Sequence, residues 1–105
     1  MEESFEVVVE RRLTLRDANQ KGSKEIRICI GKPYWTEEGI EAACPVAVHG
    51  LVGRAKDIAG IDPLNALELA IAFVNSLLEK LPSGKDLYWT NGEPYENLDH
   101  QQKGQ

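Results

Sequence analysis

The stretch Asp62 to Leu81, DPLNALELAIAFVNSLLEKL, constrains the fold more than any other part of this chain. Leu64, Leu67, Ala70, Ile71, Val74, Leu77, Leu78 and Leu81 recur at spacings of three and four, which predicts one apolar face of an α-helix. Asn65, Glu68, Ala72, Asn75, Ser76 and Glu79 fall on the opposite face. Asp62 is suited to accept a bond from an amide of the first turn, and Pro63 has no amide that needs a partner there. Leu81-Pro82 ends the run because a residue before proline is pushed out of the α region. Gly84 is available for a left-handed turn beyond it, and Lys80 suits the negative helix end.

Ala66, Leu69 and Phe73 widen the apolar stripe beyond what one sheet face covers. Two readings stay open. Either loops of the same chain supply a second layer, or Leu69 and Phe73 reach a second protein chain, since large exposed apolar patches mark contacts.

The segments before the helix read as strands. Along Glu2 to Asp17, Phe5, Val7, Val9, Leu13 and Leu15 share one face and Glu6, Glu10, Arg12, Thr14 and Arg16 the other, with Arg11 interrupting the series in the manner of a bulge. The turn residues from Asp17 to Ser23 connect this run to Lys24–Pro33, where Ile26, Ile28 and Ile30 point inward and Glu25, Arg27 and Cys29 outward. The pair predicts an antiparallel hairpin. Gly31 to Ala43 reads as irregular, with Tyr34 and Trp35 in a loop. Ala43 to Leu51 predicts a third strand, Cys44, Val46 and Val48 on one face and Ala47 and His49 on the other. Its Pro45 belongs at a sheet edge or at the strand's beginning.

A short strand around Arg54–Ile58 precedes the helix, and Asp86–Thr90 with the Asn91-Gly92 turn follows it. Strands, one helix and a last strand predict an α+β fold, an antiparallel sheet of about four to five strands with one long helix on one face. Residues 1–95 form one domain on this reading, and 96–105, nearly without apolar residues, a solvated tail.

Composition narrows the function classes. The net charge of -5 disfavours a phosphate backbone as partner, because such binding depends on clustered Lys and Arg. No apolar run is long enough to span a bilayer, and MEESFEVVVE lacks the basic start of a secretory signal. Two cysteines without a signal fit a reducing cytoplasm.

Arg12-Leu-Thr-Leu-Arg-Asp17, Ile30-Gly-Lys-Pro33, Cys44-Pro-Val46 and Gly60-Ile-Asp62 leading into Ala66-Leu-Glu-Leu-Ala70 together resemble a family of small bacterial single-domain proteins of unknown function. The resemblance runs from about Arg11 to about Trp89 and implies bacterial origin and a single α+β domain; it implies no activity, ligand or catalytic residue. In the place of a compact loop rich in aspartate and glycine, residues 34–43 carry Trp35 and the glutamates Glu37, Glu38 and Glu41.

Candidate chemistry is sparse. Cys44 and His49 are an odd number apart, so a regular strand sends them to opposite faces and a thiol–imidazole dyad needs a bulge. Cys29 and His49 share the outer face if their strands are neighbours, which predicts an exposed thiol near an imidazole and separates Cys29 from Cys44. The two cysteines and two histidines lack paired zinc spacing, so no metal or other cofactor is expected. Gly50-Leu-Val-Gly53 reads as a turn, and Asp57 and Asp62 nearby oppose an anion. Glu37, Glu38 and Glu41 read as solvated.

The aromatics carry more signal, because Trp and Tyr anchor interfaces with much area and few rotors. Candidate binding residues are Tyr34, Trp35, His49, Leu69, Phe73 and Trp89; Trp35 has the alternative role of closing one end of the core. These features predict a non-enzymatic protein-interaction module, self-associating or binding a partner, in the manner of an immunity protein, with acidic residues steering a basic surface. The alternative is a small-ligand or minor enzyme domain with a pocket between sheet and helix, and Cys44, His49 or Trp35 at its mouth. No nucleic acid or membrane partner is expected.

Overall fold

The computed structural model describes residues 5–18, 22–53, 55–81 and 84–95. The chain runs β1 (Val7–Asp17), β2 (Ser23–Gly31), β3 (Tyr34–Glu37), β4 (Glu41–His49), β5 (Lys56–Gly60), α1 (Pro63–Glu79) and β6 (Lys85–Trp89). It is an α+β fold in which one antiparallel sheet carries one helix. The strand order is β3-β4-β2-β1-β6, and β5 also pairs with β4.

The registers show how β4 serves three partners. β2 meets β4 at Arg27–His49 through Ile30–Val46, β3 meets it at Tyr34–Ala43, and β5 meets it from Ala42–Gly60 to Val46–Lys56. β5 shares partner residues with both β2 and β3, so it lies along the opposite edge of β4. β2 and β3 are therefore one bent strand, broken at Gly31–Pro33. The helix joins β5, at one edge of the sheet, to β6, at the other.

This arrangement corrects two expectations. Tyr34 and Trp35 lie on a strand rather than in a loop. Pro45 sits inside the central strand rather than at an edge or a beginning. The sheet tolerates it because Cys44 and Pro45 face the break at Gly31–Pro33, where the ladder between Ile30–Val46 and Tyr34–Ala43 is interrupted. The Cys44 thiol turns back to the carbonyl oxygen of Gly31, with Sγ and O 3.6 Å apart. The strand before the helix is Lys56–Gly60, later than expected, and Arg54 lies outside the described residues.

Leu13, Leu15, Ile26, Ile28, Ile30, Ala42, Cys44, Val46 and Val48 form the covered sheet face, as the period-two pattern predicts, and Ala66, Ala70, Val74 and Leu78 press on them from the helix. Burying such aliphatic side chains contributes about 1.5–3 kcal/mol each. The helix is rotated from the expected face, for Leu64 and Ile71 point to solvent. Gly60 sets this rotation. A Cβ there would lie 2.5 Å from the Ala66 backbone nitrogen, so the glycine and the alanine bring the first turn down onto the end of β5. Leu67, Phe73, Leu77 and Leu81 flank the stripe, half-buried.

The start of the helix matches the sequence, and its last residue is Glu79, two before the expected Leu81, with Lys80 as the C-cap. The Asn65 amide donates to Asp62 Oδ1 at 2.7 Å, and the Asn65 side chain returns a bond by accepting from the Ile61 amide at 3.0 Å. Gly84 adopts the left-handed conformation (φ 89°), and Pro82 lies outside the described residues. In β1 the irregularity falls between Val7 and Val9, not at Arg11, which stays in register with Ile28. Val9, expected to point inward, is exposed. The turn residues 19–21 and the predicted tail 96–105, with His100, lie outside the described residues.

Candidate functional site

Two turns converge at the end of the domain where the helix starts. The β3–β4 hairpin closes through Gly39, left-handed at φ 76°, with the Ile40 amide donating to the Glu37 carbonyl at 2.8 Å. The β5–α1 junction closes through Gly60 and the Asp62 cap. Each turn leaves an isoleucine outside the core. Ile61 is 72% exposed and Ile40 61%, and Leu64, two residues into the helix, is 65% exposed. Ile40 and Ile61 line one groove of about 430 Å³ with Glu41, Ala59, Gly60 and Asn65. Ile71 lies two turns beyond Leu64 on the same flank of the helix and is exposed as well. The groove at the hairpin tip and the exposed Leu64 and Ile71 on the helix are the apolar surface at this end of the domain. Glu37, Glu38, Glu41 and Asp62 belong to or flank these two turns, Glu68 follows in the second turn of the helix, and all five are exposed.

The residues singled out from the sequence are dispersed. Trp35 pairs with Ala42 and shares its helix-side face, at the hairpin end, with its ring partly exposed. Leu69 is exposed and Phe73 half-buried on the other flank of the helix, where the Lys56 ammonium lies 5.2 Å from the Phe73 ring centre. Trp89 is at the far side of the sheet. Its ring meets Tyr95 edge-on at 4.9 Å, and Arg11 stacks on both rings at 5.1 and 5.7 Å. Tyr34 and His49 are on the opposite sheet face, paired with Ala43 and Arg27. Sequence reasoning missed Ile40, Ile61 and Leu64; the signal it passed over is the repeated Gly-Ile-acid triplet, Gly39-Ile40-Glu41 and Gly60-Ile61-Asp62. A β-branched residue in a turn beside a carboxylate has no core to serve.

The opposite sheet face carries charge and small residues. Glu10 receives Arg27 Nε at 2.8 Å and Arg12 Nε at 3.1 Å. The hydrogen bond from Arg27, with the neighbouring Arg12 charge, holds the Glu10 carboxyl below its ordinary value. Cys29, expected as an exposed thiol, is fully buried. It lies between Glu10 and Ala47 on the neighbouring strands, where the side chains of the Glu10–Arg27 pair lie beside much smaller ones. The register does place His49 on the same face as Cys29, diagonally across the strands. Cys44 is buried on the other face, and burial first, then the Asp57 charge, pushes its thiol up. Neither thiol has the exposure a nucleophile needs. Among the described residues, no three His, Cys, Asp or Glu side chains gather to hold a metal ion. No helix among them is long and apolar enough to cross a membrane.

A family model described as a domain of unknown function (DUF6968) matches residues 9–99. The chain belongs to this family. DUF6968 membership spans every element described above apart from the first two residues of β1. No curated protein matches the chain, and no solved structure does.

Proposed function

We propose that this DUF6968 chain is a protein-binding module and that its contact surface is the strip of Ile40, Ile61, Leu64 and Ile71. The observation that carries the reading is the convergence of three highly exposed aliphatic side chains at one end of the domain, two of them lining one groove. Surfaces of this kind mark interaction sites, and an apolar strip with a polar border is the usual anatomy of an interface. The glutamates and Asp62 around it select the partner. A second copy of the chain would bring the same acids face to face, whereas a basic protein with an apolar projection gains both contact and electrostatic steering. The expectation of a cytoplasmic, immunity-like role in a bacterial cell is consistent with such a partner and rests on this reading.

The test uses the parent and an Ile61→Glu variant, with circular dichroism to establish that both are folded. A basic protein recovered with the parent is purified and titrated against both. Salt-sensitive binding to the parent that is lost in the variant supports the proposal. Equal binding to both contradicts it, and an oligomer of the parent that Ile61→Glu disperses would assign the strip to self-association.

A further inference from the structure

The sheet face away from the helix holds a separate cleft of about 320 Å³, lined by Phe5, Tyr34, Pro45, Ala55, Lys56 and Asp57. Each lining group has a place fixed by the register. Pro45 and Asp57 are partners across β4 and β5, and Tyr34 extends from β3 on the same face. Phe5 approaches from the start of the described chain, its ring lying against Gly31, where a Cβ would come within 2.5 Å of Phe5 Cδ2. The result is a proline floor between two aromatic rings and one carboxylate.

Among the described residues, the charge facing into the cleft is that of Asp57, although Lys56 is in its lining. Lys56 pairs with Val46, whose side chain is in the core, and its ammonium is engaged with the Phe73 ring on the helix side. Asp57 faces the other way. The Tyr34 hydroxyl donates to Asp57 Oδ2 at 3.3 Å, and among the described residues the Asp57 carboxylate has no other hydrogen-bond or ion-pair partner. Burial and the Asp57 charge raise the Tyr34 phenol above its ordinary value, so it stays a donor and keeps the carboxylate oriented. Ring faces attract cations, and a carboxylate beside them adds charge and a hydrogen-bond acceptor.

We propose that this cleft binds a cationic nitrogen group, an ammonium or guanidinium on an alkyl stem, with the stem over Pro45, the cation against the Phe5 and Tyr34 rings and its N–H groups donating to Asp57. Such a group comes either from a free amine or from a basic side chain of a peptide. The cleft lies on the sheet face opposite the apolar strip, so its test is separate from that of the protein-binding surface.

The test is a titration followed by the ring proton signals of Phe5 and Tyr34, with n-butylammonium, n-butylguanidinium, neutral n-butanol and N-acetyl-lysine N-methylamide as probes. Saturable shifts with the cations, weakened by added salt and absent with n-butanol, are expected. Asp57→Asn abolishes them with the amide spectrum otherwise unchanged, and Tyr34→Phe weakens them several-fold while leaving the ring in place. Tighter binding of the capped lysine than of n-butylammonium assigns the site to a basic side chain, and several-fold weaker binding assigns it to a free amine. Equal shifts with n-butanol, or unchanged cation binding in Asp57→Asn, would overturn the proposal.

Discussion

The two faces of the sheet are buried by different means. Under the helix, large aliphatic side chains from β1, β2 and β4 meet Ala66, Ala70, Val74 and Leu78. On the other face, Cys29, Ala43 and Ala47 are buried although no helix among the described residues covers them. There the side chains are short, and Phe5 and the Glu10–Arg27 pair lie on neighbouring positions. Burial under a helix marks where the fold's free energy is concentrated. The Tyr34–Asp57 cleft opens on this second face, over Pro45.

If this contrast is right, Ile26→Ala under the helix has the largest effect, a loss of about 3 kcal/mol in a urea titration, because a fully buried aliphatic leaves a cavity. Gly60→Ala follows, at about 2 kcal/mol, since the new methyl meets the Ala66 backbone rather than a movable side chain. On the opposite face, Cys29→Ala costs about 1 kcal/mol by the same measurement, because little volume is lost. A larger loss for Cys29→Ala than for Ile26→Ala would reverse the contrast.

The ionic part of the outer face answers to pH. Glu10 is held below its ordinary value by Arg27 and then Arg12, so the folded state binds its proton less readily than the unfolded chain. The stabilisation is complete above the unfolded carboxylate range and disappears as pH falls through the depressed folded value. Glu10→Gln is expected to lower stability at neutral pH and to flatten the acid limb of stability measured against pH, so that variant and parent converge at low pH. An acid limb identical to the parent's would show that this pair has no such role. Leu64→Glu is expected to have the smallest effect on folding, within about 0.5 kcal/mol, because the side chain is exposed.

The sequence shows most of the covered face and little of the rest. Alternation identifies Leu13, Leu15, Ile26, Ile28 and Ile30, and the Asp62-Pro63 start locates the helix, because both signals are local. The rotation of that helix is not local. It depends on contact between Gly60 and Ala66, and this moves Leu64 and Ile71 from the expected inward face to solvent. The strand at Tyr34–Glu37 is hidden because its residues are all exposed and its neighbour across the sheet, β4, is buried on both faces. Tyr34 and Trp35 stand out as aromatics, yet they belong to opposite faces. Ile40 and Ile61 come together only when the two turns are folded, so a linear reading gives each as an isolated residue.

The most direct measurement is amide hydrogen exchange of the chain alone and with its purified protein partner. The account predicts new protection at residues 38–41 and 60–72, with the amides of Tyr34 and Asp57 unchanged. Protection confined to the outer face, or to β6 around Trp89, would contradict the assignment of the apolar strip as the binding surface.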